Sequence, residues 1–212
     1  MKQRHRPGKL VKRTLDLSGA GLALLLAAPV MALAALAVRL SSPGPALFRQ
    51  LRLGLHGKPF WLLKFRSMYV AAPDVRNPDG SAFSAEDDAR VTSVGRWLRK
   101  TSLDELPQLF NVLRGEMSLV GPRPDPPHAL AHYRPQDHAR LSVKPGITGW
   151  AAVNGRNRIP WEQRRDLDLE YVTRRSFWFD LKILALTVPY ALRCGDTVQA
   201  APEAVQGAKE QL

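Results

Sequence analysis

Leu17 to Val38 is a run of 22 residues without a charge, and it dominates the hydrophobic pattern of the chain. As a helix it reaches about 33 Å, enough to cross the apolar core of a bilayer. Ser41-Ser42-Pro43-Gly44-Pro45 ends the run by turn chemistry. Ala46 to Leu53 and Pro59 to Met68 lie on either side of Gly54-Leu55-His56-Gly57 and predict two short strands in a hairpin. Tyr69 to Ala89 is polar, carries Asn77-Pro78-Asp79-Gly80, and reads as a loop and a candidate mobile lid. Thr92 to Gly115 has helical periodicity, with Leu103, Leu106, Phe110 and Leu113 on one core-facing stripe. Four prolines make Gly121 to Pro127 an extended loop. A turn at Lys144 to Gly149 leads into Trp150 to Val153, read as a short strand, and Trp161 to Arg174 reads as a charged helix. Phe177 to Leu192 is apolar around Asp180 and Lys182 and opens on Phe177-Trp178-Phe179, a composition suited to a core or to a membrane interface. The expected architecture is a mixed α/β fold, a small hairpin sheet plus helices. Residues 1–40 form a basic N-terminus and membrane helix, 41–194 a cytoplasmic domain with amphipathic helices at the membrane interface, and 195–212 a disordered tail.

Charge on the flanks of the apolar run narrows its topology. Lys2, Arg4, Arg6, Lys9, Lys12 and Arg13 precede it; Arg39, Arg49, Arg52, Lys58, Lys64 and Arg66 follow it, with no acid before Asp74. The positive-inside bias places both ends in the cytoplasm. A spanning helix satisfies one end only, whereas a helix that enters one leaflet, bends at Pro29 and returns satisfies both. This re-entrant hairpin, monotopic in the membrane, is the leading expectation. Membrane helices tolerate proline, so a spanning helix is the second reading, and a secretory signal cleaved after Ala35-Leu36-Ala37 is the third. Asp16 falls beside Lys12 and Arg13 at the membrane boundary, either as a surface ion pair or as one that sets the depth of the helix.

Over all 212 residues, Lys and Arg number 31 against 19 Asp and Glu, a formal charge of +12. That surplus asks for an anionic partner: nucleic acid, anionic lipid or a phosphorylated substrate. Apolar residues at 45% are enough for a core and exclude a disordered chain. Cys194 is the single cysteine, which excludes an internal disulfide framework and a cysteine-based zinc site.

The stretch richest in candidate chemistry is Arg99-Lys100-Thr101-Ser102-Leu103-Asp104-Glu105-Leu106-Pro107. Ser102 and Glu105 have capping-box spacing, so the plain reading is a helix start with two dipole-stabilising acids. The sharper reading uses the same geometry: one carboxylate attacks phosphorus while the other holds a divalent cation against the phosphate oxygens. Arg123, stiffened by Pro122 and Pro124, suits bidentate phosphate pairing, and Lys64 and Arg66 share one face of a strand. His128, His132 and His138 lack the spacing of a metal site, and neither a P-loop nor a Rossmann glycine fingerprint is present.

Several stretches in order resemble the bacterial sugar transferases, the monotopic phosphoglycosyl transferases. They are Lys12-Arg13-x-x-Asp16, Ser42-Pro43-Gly44-Pro45, Gln50-x-Arg52-x-Gly54, Lys64-Phe65-Arg66-Ser67-Met68, Leu98 to Leu109, Ser118 to Pro124 and Pro145-Gly146-Ile147-Thr148-Gly149-Trp150. The resemblance covers roughly residues 9 to 193. It implies transfer of a sugar-1-phosphate from a UDP-sugar to undecaprenyl phosphate with release of UMP, the first membrane step of exopolysaccharide, O-antigen or glycoprotein glycan assembly. It also implies Asp104 as the nucleophile that carries a phosphosugar, Glu105 with Asp104 as the Mg²⁺ site, and Arg99, Arg123 and Asp168 as substrate-binding residues. Lys64, Arg66, Gly146 and Thr148 are weaker carry-overs, and Lys12, Arg13, Asp16 and Pro29 mark the membrane boundary. The implied location is the cytoplasmic face of the bacterial inner membrane, with the inner leaflet as partner and no nucleic acid. The sequence names neither the sugar nor the pathway, and it leaves a homodimer open. Two departures stand out: Ala28-Pro29 where relatives often have Ser-Pro, and Ala152 where Gln is common. Lacking extra N-terminal membrane helices, the chain is expected to be the minimal catalytic form. Two other classes compete: a basic membrane scaffold without catalysis, and an anionic-lipid or nucleic-acid binding protein.

Overall fold

The apolar run lies inside a single helix, α1, Gly8–Ser41, which remains helical through Pro29. The computed structural model describes residues 8–73, 75, 85, 88–155 and 159–192. The expected lid turn at 77–80, the basic residues of 1–6, Cys194 and the tail at 195–212 lie outside them. Among the described residues, α1 is the one helix long and apolar enough to cross a membrane. No residue between Gly8 and Ser41 leaves the helical assignment, so the expected bend at Pro29 is not resolved into two helices with a turn between them.

The two faces of α1 differ. Ala20 packs into a core with Phe60, Leu62, Leu109, Val112 and Met117. Ala34 and Val38 pack with Phe65 and Leu98 in a second core. Leu22, Leu25, Leu26, Val30, Leu33, Leu36 and Leu40 recur at helical spacing on the other side and are exposed. An exposed apolar stripe of this length is a surface made for lipid. Both ends of α1 are tied to the same body. At the first end, Arg13 donates to the Val112 and Leu113 carbonyls at 2.7 and 2.9 Å. At the second, Arg66 donates to Ser42 Oγ and to the carbonyls of Ser42, Pro43 and Pro45, each at 2.8 Å.

The remainder is mixed α/β, as the pattern predicts. Strands β1 (Leu47–Leu53) and β2 (Pro59–Phe65) pair antiparallel, with Leu47 opposite Phe65 and Leu53 opposite Pro59. Helix α2 covers Ser93–Lys100 and α3 covers Gln108–Arg114. The stretch 92–115, helical in pattern with a helix start expected at Ser102, is therefore two helices, and the second begins after Pro107 rather than at Ser102. Ser102 adopts a left-handed conformation (φ 57°), Pro107 caps α3, and only a short 3₁₀ turn, Leu103–Glu105, lies between them. The break resets the helical phase, so Leu109 and Val112 face the core while Phe110 and Leu113 of the expected stripe are exposed.

Strands β3 (Ser118–Val120) and β4 (Gly146–Thr148) form a two-stranded parallel sheet. The strand expected at 150–153 is instead a helical turn, α4, Trp150–Val153, and the sheet uses the residues just before it. Glycine makes this pairing close. A Cβ on Gly121 would meet the Lys144 carbonyl at 2.4 Å, and one on Gly146 would meet the Gly121 nitrogen at 2.1 Å. Helix α5 (Trp161–Arg174) matches its expected bounds, the apolar segment Phe177–Leu192 forms helix α6, and Val120, Val143, Tyr171, Phe179 and Ile183 form a third core beneath β3.

Asp16, expected beside Lys12 and Arg13 either as a surface pair or as one that sets the depth of the helix, is buried. It accepts hydrogen bonds from Ser118 Oγ and the Leu119 amide, both at 2.9 Å. Lys12 pairs with it at 3.6 Å and reaches on to Asp180 at 2.7 Å and to the Val120 carbonyl at 3.2 Å. Asp180 in turn accepts a hydrogen bond from Tyr171 at 2.8 Å. Asp180, which interrupts the apolar α6, thus has a partly buried partner on α1.

Candidate active site

The break between α2 and α3 builds the site. Because the chain turns through Ser102 and halts at Pro107, Asp104 and Glu105 stand on a short 3₁₀ turn, and both are buried. The capping box does not form: Ser102 makes no capping hydrogen bond, and Glu105 faces basic residues instead. Lys64, from the end of β2, lies 3.3 Å from Glu105 Oε1. Arg123, from the loop after β3, donates to the same oxygen at 2.9 Å while its side chain stays half-exposed. Arg99, at the end of α2, donates through Nε to Ser67 Oγ at 2.8 Å and lies within electrostatic reach of Asp104.

The electrostatics follow from this packing. Burial pulls the Lys64 ammonium below its ordinary pKa, with Glu105 opposing. Arg99 is likewise lowered by burial, with Asp104 opposing. Arg123 is raised, first by the neighbouring Glu105 charge. Three basic side chains therefore surround two buried carboxylates, and the half-exposed Arg123 opens the cluster to an incoming anion.

Beside the pair, Gly121, Arg123, Gly146, Thr148, Trp161 and Asp168 line an open cleft of about 510 Å³. Asp168, on α5, is buried, and Arg140 donates to its Oδ2 through Nε at 3.1 Å and Nη2 at 2.8 Å. Arg140 also bonds Asp125, Tyr133 Oη and the Arg123 carbonyl. Burial pushes the Asp168 carboxyl up to about 6, against the pull of Arg140. Thr148 bonds Thr187 of α6 at 2.8 Å, fastening the floor of the cleft to the third core.

Of the residues singled out in the sequence, Asp104, Glu105, Arg99, Lys64 and Arg123 converge, and Gly146, Thr148 and Asp168 line the adjoining cleft. Arg66 does not join them. Strand β2 stops at Phe65, and the Arg66 side chain turns into the carbonyls that follow α1. Lys12, Arg13 and Asp16 dock α1 rather than contact the cluster, and Pro29 lies within the helix. Sequence reasoning missed Ser67, Asp125, Arg140 and the cleft-lining side of Trp161. Arg140 carried no local signal, because its two carboxylate partners lie 15 and 28 positions away.

Among the described residues no group of three or more His, Cys, Asp or Glu could hold a metal ion by itself. Two adjacent carboxylates fit Mg²⁺ in its common mode, in which one or two carboxylates are completed by substrate phosphates and water.

Comparison with known proteins agrees with this geometry. The family model described as bacterial sugar transferase matches residues 7–194. A UDP-glucose:undecaprenyl-phosphate glucose-1-phosphate transferase of Escherichia coli K12 is 51% identical over 191 residues, covering 85% of this chain and 40% of that protein. A protein of the same name from Caulobacter vibrioides is 50% identical, covering 86% of this chain and 70% of its own length. An uncharacterized sugar transferase of Bacillus subtilis, EpsL, is 48% identical over 84% of this chain and 86% of its own length. The chain thus spans less than half of the E. coli relative and most of the Bacillus one. With the match running from the first turn of α1 to the end of α6, the chain belongs to the bacterial sugar transferase family.

Proposed function

We propose that the protein transfers a sugar-1-phosphate from a UDP-sugar to undecaprenyl phosphate and releases UMP. The observation that carries this reading is the Asp104–Glu105 pair, buried on one turn among Arg99, Lys64 and Arg123. An Asp104 carboxylate oxygen attacks the phosphorus that bears the sugar. The bond from that phosphorus to the bridging oxygen breaks, and UMP leaves with the electron pair. A phosphate oxygen of the lipid then attacks the same phosphorus, the acyl–phosphate bond breaks, and the Asp104 carboxylate returns. Arg123 and Arg99 orient the two phosphates, and Lys64 neutralises charge that builds in the transition state. Asp104 and Glu105 would hold Mg²⁺ together with the donor's phosphates, and the ion would supply further neutralisation of the phosphate oxygens.

The same reading places the reaction at the cytoplasmic face of the inner membrane, where a soluble nucleotide sugar meets a lipid phosphate. Support comes from α1, whose two ends are fastened to one body by Arg13 and Arg66 while its other face exposes leucines. A helix fastened at both ends to one body is better suited to entering a single leaflet than to crossing both.

The test is UMP release by detergent-purified protein given UDP-glucose or UDP-galactose, Mg²⁺ and undecaprenyl phosphate. Asp104→Asn is expected to reduce release by at least a thousandfold without moving the unfolding midpoint. Full activity in that variant would sink the reading.

A further inference from the structure

Asp168 is 2% exposed, and its two carboxylate oxygens are used differently. Oδ2 accepts both hydrogen bonds from Arg140, whereas Oδ1 is buried without any partner. A buried acceptor left unpaired costs about 1–3 kcal/mol, more when charged, so a native fold keeps one where a ligand completes it. Asp168 lines the 510 Å³ cleft together with Arg123 and Trp161. The Arg165 guanidinium stands 4.7 Å over the Trp161 ring, and His132 meets that ring edge-on at 6.1 Å, so the indole is held in place. Arg123 belongs both to this cleft and to the Glu105 cluster.

We propose that the cleft is the hexosyl subsite of the donor, in which Asp168 Oδ1 accepts a hydrogen bond from a sugar hydroxyl and Trp161 forms the apolar wall beside the ring. This rests on the transferase reading and names the part of the substrate that the cleft takes. A phosphate held by Arg123 carries its attached sugar into the adjoining space. A second phosphate offers no hydrogen-bond donor to Oδ1 and would leave that oxygen unpaired. Uracil offers that oxygen a single N–H donor flanked by two carbonyls, a poorer match than a ring bearing several hydroxyls. A hexose offers several hydroxyl donors and an apolar ring face, matching an acceptor beside an indole. Arg140 is the positioning residue: it offers donors only, so it takes one carboxylate oxygen and leaves the other to the ligand.

The experiment compares binding of UDP-glucose and of UDP to the full chain in detergent by calorimetry. In Asp168→Asn the amide oxygen must face the Arg140 donors, which turns the NH₂ toward the cleft and replaces an acceptor with a donor. The ratio of UDP-glucose to UDP affinity is expected to fall at least tenfold, with UDP itself unchanged within twofold. Trp161→Leu, which leaves the Asp168–Arg140 pair in place, is expected to shift the ratio in the same direction and carries the test if Asp168→Asn unfolds. An unchanged ratio overturns the subsite. An equal loss for UDP also overturns it and assigns the cleft to the nucleoside. Wild-type protein that binds neither nucleotide overturns the transferase reading, and the subsite with it.

Discussion

Replacing Gly95 with alanine probes how Arg99 is held. Gly95 lies in α2 against the backbone of Ser67, and an added Cβ would stand 1.9 Å from the Ser67 carbonyl oxygen and 2.6 Å from its carbon. That is about 1.5 Å inside ordinary contact. Neither partner is a flexible side-chain end, so α2 must move away as a unit. The Thr92 amide bond to that same carbonyl, 3.0 Å, and the Arg99–Ser67 bond, 2.8 Å, both stretch. Overpacking costs about 1–3 kcal/mol and each weakened hydrogen bond about 0.5–1.5, so the loss is about 2–5 kcal/mol. For a chain of this size that corresponds to a fall in Tm on the order of 10 °C. A displacement of about 1 Å at Arg99 is expected to lower UMP release about a hundredfold at a temperature where the variant remains folded. Gly21→Ala is the control, since its Cβ would meet nothing within 4 Å, and both quantities should stay at wild-type values. The assay is thermal unfolding in detergent followed by UMP release below both midpoints. A Gly95→Ala protein within about 2 °C of wild type and fully active would refute the contact and the reasoning built on it.

Three further outcomes are expected. Burial pushes the Asp168 carboxyl from the ordinary 3.8 up to about 6, so between those values the folded state holds the extra proton. Its contribution therefore falls as pH rises through that window, by about 3 kcal/mol in all. Relative to Asp168→Asn, wild type should lose stability between pH 4 and pH 6.5 in urea titrations, and parallel curves would contradict the burial argument. Lys12→Met leaves Asp16 and Asp180 buried without their shared cation and should cost about 3–5 kcal/mol. The double variant Lys12→Met/Asp180→Leu should recover part of that loss, whereas strict additivity in the cycle would show no coupling. With Cys194 replaced by serine, single cysteines at Leu10 and at Arg39 should both be labelled from the cytoplasmic side of inverted vesicles. A signal from the opposite side at either position would reject the single-leaflet arrangement of α1.

The elements whose order is local were legible in the sequence. The α1 run, the β1–β2 hairpin and α5 follow from periodicity and turn residues alone, and the apolar bounds of α6 were visible though its helix was not assigned. The carboxylate pair and Arg123 were legible as chemistry through their motifs. Two kinds of feature were hidden. Residues 92–115 keep helical periodicity across a break made by the left-handed Ser102, and no composition rule assigns that conformation to serine. Asp168, Arg140 and Asp125 find one another across 15 to 28 positions, and Lys12 finds Asp180 across 168, so only tertiary packing reveals these groups. Arg66 shows the opposite error: strand alternation placed it beside Lys64, but β2 ends one residue earlier and the side chain turns to the exit of α1.

Helix α1 places Ala20 in one core and Ala34 and Val38 in another, which makes the lipid-facing segment a structural component of the globular part. In such a chain the anchor is not a detachable handle. It is synthesised before the residues it packs against, and its inner face is not fully covered until residues as distant as Met117 have left the ribosome. The nascent protein must therefore shelter that face, in lipid or against a chaperone, for the time taken to make roughly a hundred residues, several seconds or more at typical elongation rates. Maturation thus becomes a single event in which insertion of the exposed leucine face into lipid and closure of the interior complete each other.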